Sequence, residues 1–248
     1  MDNKIYRALA PYYDRLMGDV NYQSWIEYIK KLCVLFRMKP RLILDLGCGT
    51  GSPMSYLLEQ GYKVIGIDGS ADMLKVAKTK LNIYNPILFQ SRFQDFCIKT
   101  KVDLTISLFD SLNNLVKEDE LFRTFSNVAK CLTKGGIFIF DMNTIYGLSL
   151  MNDSATFTKE SDGIYSIWKS DFVRPKSLTT LHITLFVSFN GNYKRIEETH
   201  RERGYTFHTI KRLLSKNGFE RTHFYEHLSF RRPGPKTKRV VVVAEKGK

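Results

Sequence analysis

Five residues, Gly47-Cys48-Gly49-Thr50-Gly51, alternate three glycines with small side chains, and Asp45 stands two positions before the first glycine. Glycine lets a ligand lie against the backbone, and a helix that starts after such a loop offers free N–H groups to an anion. Asp68 follows Gly49 by 19 residues. That is the separation at which a strand-end carboxylate holds both hydroxyls of a ribose. Asp95-Phe96 and Phe109-Asp110 stand at the ends of two further apolar runs. A glycine loop with a ribose acid suits a dinucleotide or another nucleoside. Two details favour the latter. An anionic Asp45 beside a pyrophosphate is repulsive, whereas beside an ammonium or sulfonium it is favourable. The third glycine also follows the second by two residues rather than three.

These residues need a scaffold, and the hydrophobic pattern supplies one. The first 40 residues read as helical, with Ser24 and Glu27 spaced as a capping box and Pro40 as the stop. Buried-strand runs at 41–46, 63–67, 86–89, 102–108 and 137–140 alternate with helical patterns at 54–59, 72–81 and 118–132. Ser70 reads as the N-cap of the second of these helices, and Lys134-Gly135-Gly136 as the stop of the third. Strands alternating with helices predict a parallel sheet covered on both faces, with ligands at the carboxyl ends of its strands. From 150 to 205 the pattern changes to two-residue alternation, with a hairpin signal at Asn190-Gly191-Asn192. A helix over 206–216 and two closing strands complete the chain.

Leu44-Asp45-Leu46-Gly47-Cys48-Gly49-Thr50-Gly51, followed by Gly66-Ile67-Asp68-Gly69-Ser70-Ala71-Asp72-Met73-Leu74, resembles the class I S-adenosylmethionine-dependent methyltransferases. The resemblance implies an α/β fold: a doubly wound, seven-stranded, mostly parallel Rossmann-like sheet with its last strand antiparallel. Its organisation would be one methyltransferase domain over 1–248, with a helical cover (1–40), a cofactor core (41–145), an antiparallel substrate-side lid (150–205) and a closing unit (206–248). S-adenosylmethionine is the implied cofactor. By position, Asp45, Gly47, Cys48, Gly49 and Gly51 would pack on its methionine part. Asp68 would bind the ribose, with Gly69, Ser70 and Met73 flanking the adenosine and Asp95 and Phe96 meeting the adenine. Phe109 and Asp110 would face the departing methyl. The segment ending Tyr12-Tyr13-Asp14 is similar to one that closes over the site in many members. Asp110, Tyr13, Arg203 and Tyr205 are the candidates for contact with the reacting groups. The insertion, and the stretch Glu198 to Tyr205, look most like bacterial small-molecule methyltransferases, including those that N-methylate amino sugars.

Composition bounds the rest. The formal net charge is +13 over 248 residues, and 190–248 holds 15 basic against 6 acidic groups while 41–189 is nearly balanced. The acceptor is accordingly expected to be a small molecule, with an acidic or phosphorylated one favoured by Arg231-Arg232-Pro233-Gly234-Pro235-Lys236-Thr237-Lys238-Arg239. An RNA or tRNA methyltransferase is the rival reading, and a non-catalytic binder of the cofactor a second. No aromatic–basic RNA motif supports the first. The four cysteines lack metal-ligand spacing, so no metal site is expected. The N-terminus lacks an apolar leader, and the aliphatic run near the C-terminus, Val240–Ala244, is far short of the ~20 residues that span a bilayer. A reduced, cytoplasmic protein is the expectation.

Overall fold

The computed structural model describes residues 6–150 and 156–247. A short helix α1 (Tyr13–Leu16) and the longer α2 (Tyr22–Leu35) precede β1 (Leu42–Leu46), α3 (Ser52–Glu59), β2 (Lys63–Asp68), α4 (Ala71–Lys80), β3 (Ile87–Gln90) and β4 (Val102–Ser107). Then come α5 (Glu118–Cys131), β5 (Leu132–Asn143) and α6 (Ile145–Leu150). An antiparallel run follows: β6 (Thr156–Ser161), β7 (Ile164–Val173), β8 (Leu178–Phe189) and β9 (Asn192–Arg203). The chain closes with α7 (Phe207–Lys216), β10 (Phe219–Glu226) and β11 (Arg239–Lys246).

Seven strands form one sheet in the order β10-β11-β5-β4-β1-β2-β3. β11 runs antiparallel to both of its neighbours, and the pairs from β5 to β3 are parallel. The order reverses beside β1, which pairs with both β2 and β4. A crevice therefore opens beyond the ends of β1 and β4. Alternation along each strand splits the core into two layers. Leu44, Leu46, Phe138, Phe140, Val240 and Val242 pack with α5 and α7. Ile43, Ile137, Ile139, Val241 and Val243 pack with α2 and α3. No helix among the described residues is long and apolar enough to cross a membrane.

The insertion is a separate four-stranded sheet, β6-β7-β8-β9. Its hairpin closes through Asn190 and Gly191, both at positive φ, between the paired Phe189 and Asn192. That is the geometry a two-residue turn requires. Its inner face does not rest on the large sheet. Ile183, Leu185, Val187 and Ile196 instead bury Leu9 and Leu16 of the N-terminal segment.

Two boundaries differ from the sequence reading. α2 begins earlier, capped by the Asn21 side chain, which accepts from the Ser24 N–H at 2.9 Å. Ser24 thus lies inside the helix, and Glu27 pairs with Lys30 instead of closing a capping box. The glycines at 135–136 do not separate helix from strand. α5 ends at Cys131, β5 starts at Leu132, and the glycines lie at a register shift between the Val102–Leu132 and Leu104–Ile137 pairs. Glycine there accommodates a bulge.

Candidate cofactor and acceptor site

The glycine loop leaves β1 and turns into α3. Gly51 sits at φ +78°, and a Cβ there would lie 2.7 Å from Leu81 Cδ1, so only glycine fits between α3 and the end of α4. Gly49, at φ +53°, has open space where a Cβ would be. Its N–H donates to Asp68 Oδ2 at 2.8 Å, and the Ser70 N–H donates to Asp68 Oδ1 at 2.8 Å. Ser70 also caps α4 by accepting from the Met73 N–H at 3.3 Å. The Asp68 carboxylate is thereby fixed at the end of β2, facing a cavity. Asp45, Gly47, Cys48, Gly49, Gly69, Ser70, Met73 and Phe109 also line that cavity. Gly51 lies behind the wall.

Asp45 is the unusual group. It is buried, and its Oδ2 has no hydrogen-bond partner. Burial, then the Asp68 charge, pushes its carboxyl up to about 7. A buried carboxylate without a partner is costly unless a cation or donor arrives from outside the chain. Together with the Asp68 carboxylate and the open face of Gly49, this fits a nucleoside that carries a positive charge. Cys48, beside it, is held as a neutral thiol: burial first, then Asp45, raises it well above its ordinary value.

The third strand end corrects the sequence reading. The cavity wall there is Arg92, Phe93 and Gln94, not Asp95 and Phe96. Asp95 pairs with Arg92 and with Arg123, and Phe96 is packed into the α5 side of the core. β3 ends at Gln90. The residues directly after it meet the crevice, whereas Asp95 lies one turn further on.

Beyond β4, Phe109 and Asp110 both adopt left-handed backbone, at φ +60° and +51°. Phe109 turns into the cavity under Tyr22 and Trp25. Asp110 turns the other way, into a polar cluster. Arg239 Nη2 donates to Asp110 Oδ1 at 2.6 Å, and its Nη1 lies 3.2 Å from Asp141 Oδ2. Asn143 Nδ2 donates to Asp110 Oδ2 at 2.8 Å and to Glu202 Oε2 at 3.3 Å. Two carboxylates thus share one guanidinium, and Asn143 links Glu202 to them. Burial, against the opposing Arg239 charge, pushes Asp141 up to about 7. Burial, then the Asp110 charge, raises Glu202 as well.

The N-terminal segment covers this crevice, with Tyr6, Tyr13 and Tyr22 in the cavity wall. Asp14 fastens it to the core, accepting from Thr50 Oγ1 at 2.6 Å and pairing with Lys80 at 2.5 Å. Burial first, then the neighbouring Tyr13, Glu202 and Asp110, raise the Tyr6 hydroxyl well above its ordinary value, against a hydrogen bond with Asn114. Arg203 and Tyr205 do not reach the cavity. Arg203 Nη1 donates to the Val116 carbonyl at 3.0 Å and Tyr205 Oη to that of Leu115, so both brace the loop after β4. In a β-strand, alternate residues face opposite ways. The neighbour Glu202 therefore points to the cluster that Arg203 misses. Tyr6, Asn114, Arg92 and Glu202 were not singled out by spacing. No motif marks them, because four separate elements bring them together.

Comparison with known proteins accords with this geometry. A family model described as a methyltransferase domain matches residues 43–136. A putative methyltransferase, YqeM of Bacillus subtilis (strain 168), is 31% identical over 247 residues, covering 98% of each chain. Among solved structures, an S-adenosylmethionine-dependent methyltransferase from Clostridium acetobutylicum superposes with a TM-score of 0.87 at 29% identity, over 98% of this chain and 99% of that one. A dTDP-3-amino-3,4,6-trideoxy-alpha-D-glucopyranose N,N-dimethyltransferase of Streptomyces venezuelae is 28% identical over 99 residues, 40% of this chain and 41% of that one.

Proposed function

The chain belongs to the S-adenosylmethionine-dependent methyltransferases, and from that premise we propose that it methylates an amine nitrogen of a small molecule. The observation behind the amine is the polar cluster beside the cavity, where Asp110 and Asp141 pair with Arg239 and Glu202 joins them through Asn143. Arg239 offsets one of these charges, and the two carboxyls whose proton affinity burial raises can each accept from a protonated amine, a donor that a bare phosphate lacks. The relative from Streptomyces venezuelae, an N,N-dimethyltransferase of a nucleotide-linked amino sugar by its name, is consistent with this chemistry.

In this reading Asp68 accepts from the ribose hydroxyls and the Gly47–Gly49 backbone lies under the methionine part. The orphaned Asp45 oxygen takes up the positive charge. The adenine end is assigned to the Arg92–Gln94 backbone. When bound, S-adenosylmethionine supplies an electrophilic methyl group on a good leaving group. The chain's contribution is mainly alignment and exclusion of water, for which proximity accounts for most of the rate. An amine must be neutral to attack. In its ionised form Glu202, with its raised proton affinity, accepts the surplus proton, and its neighbour Tyr6 stands in the cavity wall.

An acidic part on the acceptor remains compatible with the β10–β11 loop. Arg239 turns inward to the cluster and Arg231 pairs with Glu226, while Arg232, Lys236 and Lys238 stand exposed. β10 runs parallel to β5, so this loop leaves the sheet at the cavity edge.

The test is steady-state kinetics with a panel of amines, nucleotide-linked amino sugars among them. Glu202→Gln is expected to raise KM for the accepted amine by about tenfold, the loss of one buried acceptor, with S-adenosylmethionine affinity unchanged. An unchanged KM, or a loss confined to cofactor affinity, would contradict the assignment.

A further inference from the structure

The insertion sheet grips the N-terminal segment through one carboxylate. Glu198 on β9 is 6% exposed, and its Oε2 accepts from the Tyr6 N–H at 2.7 Å. Its Oε1 accepts from the N–H groups of Ala8 at 2.7 Å and Leu9 at 3.0 Å. His200 Nε2 lies 2.8 Å from Oε2, and its ring meets the Tyr6 ring edge-on at 4.4 Å between centroids. Tyr6 in turn meets Tyr13 edge-on at 5.9 Å, and both line the cofactor cavity. The chain from 6 to 9 has no regular helix of its own to hold it. Its order comes from this carboxylate and from Leu9 packed on the sheet.

The electrostatics agree with the geometry. Burial by itself would raise the Glu198 carboxyl. The His200 hydrogen bond and the Leu9 and Tyr6 N–H groups outweigh it and hold the carboxyl below its ordinary value. A carboxylate so buried stays ionised only while those donors are in place. Closure of the segment and satisfaction of Glu198 are therefore one event.

We propose that Glu198 is a positioning residue: by fixing residues 6–9 it sets Tyr6 and Tyr13 over the cavity, so the insertion sheet closes the cofactor site. The proposal rests on the cavity being the S-adenosylmethionine site and is independent of the acceptor. The test uses the full chain with S-adenosylhomocysteine as probe, which needs no acceptor. Amide hydrogen exchange reads the segment, and calorimetry reads affinity. Glu198→Gln keeps the size but turns one acceptor oxygen into a donor. Exchange over 6–20 is expected to rise by at least about tenfold and affinity to fall by about tenfold, with β8 and β9 unchanged. His200→Gln, which leaves the carboxylate charged, should cost about threefold in affinity by loosening Tyr6. Three results would overturn the proposal: exchange at 6–20 unchanged in Glu198→Gln, exchange raised equally along β8 and β9, or unchanged affinity in both variants. Failure of the wild-type chain to bind the probe would instead overturn the cofactor-site assignment.

Discussion

Asp45 is buried with one carboxyl oxygen unpartnered. Its carboxyl is raised, so the folded chain binds a proton that the unfolded chain releases near pH 4. That contribution to stability is full below the ordinary aspartate range and is lost as pH rises through about 7. A cation seated against Asp45 reverses the shift. S-adenosylmethionine affinity is therefore expected to tighten from about pH 6 to about pH 8, by up to about tenfold per unit, with Asp45→Asn removing the slope. A pH-independent affinity in the unaltered protein, measured by calorimetry, would contradict this. Asp68→Ala leaves two ribose hydroxyls without a charged acceptor and should cost ~1.5–3 kcal/mol of binding, roughly 10- to 150-fold. Unchanged binding in a folded Asp68→Ala variant would show that the ribose lies elsewhere. These two acids were legible in the sequence because they stand at fixed distances from a glycine loop. Asp95, placed at the adenine by resemblance, instead pairs with Arg92 and Arg123, contacts that its position after a strand does not report.

At the scale of elements, the N-terminal segment is held by the core through Asp14 and by the insertion through Glu198 and Lys159, whose Nζ donates to the Leu16 carbonyl at 3.0 Å. Deleting residues 1–20 removes Leu9 and Leu16 from Ile183, Leu185 and Val187. The truncated chain is expected to lose turnover and to bind apolar dyes through the bared sheet face, while the seven-stranded sheet keeps a cooperative unfolding transition. Full activity after truncation would show that the segment is no cover. The alternating strands and helices were readable from period alone, because each buries a face of defined width. The partner of the insertion was not. Its two-residue alternation announces one dry face, but only the tertiary fold shows that the N-terminal segment, over 150 residues away, covers it. The Ser24–Glu27 pattern misled for a related reason: Asn21, three residues earlier, caps equally well.

For the molecule as a whole, the net charge of +13 does not mean a uniformly basic active face. Asp110, Asp141 and Glu202 gather beyond β4 and β5, and of the five basic groups between 231 and 239 Arg239 is turned into that cluster. Replacing Arg232, Lys236 and Lys238 with Ser should therefore raise KM only a few-fold for an acidic acceptor, and salt should have a similarly mild effect. An RNA acceptor contacting 6–10 phosphates would lose about 10³–10⁵ in affinity between roughly 50 and 200 mM salt, and such a slope would overturn the small-molecule reading. The most direct measurement is transfer of a carbon-13 methyl group from S-adenosylmethionine into a small-molecule extract, followed by NMR of the products. The expected result is a new methyl signal at a shift typical of carbon on nitrogen, in a compound that passes a small-pore filter and is at least about tenfold weaker with Asp68→Ala at limiting cofactor. Label retained with RNA or protein, or a methyl signal typical of carbon on oxygen or carbon, would contradict it.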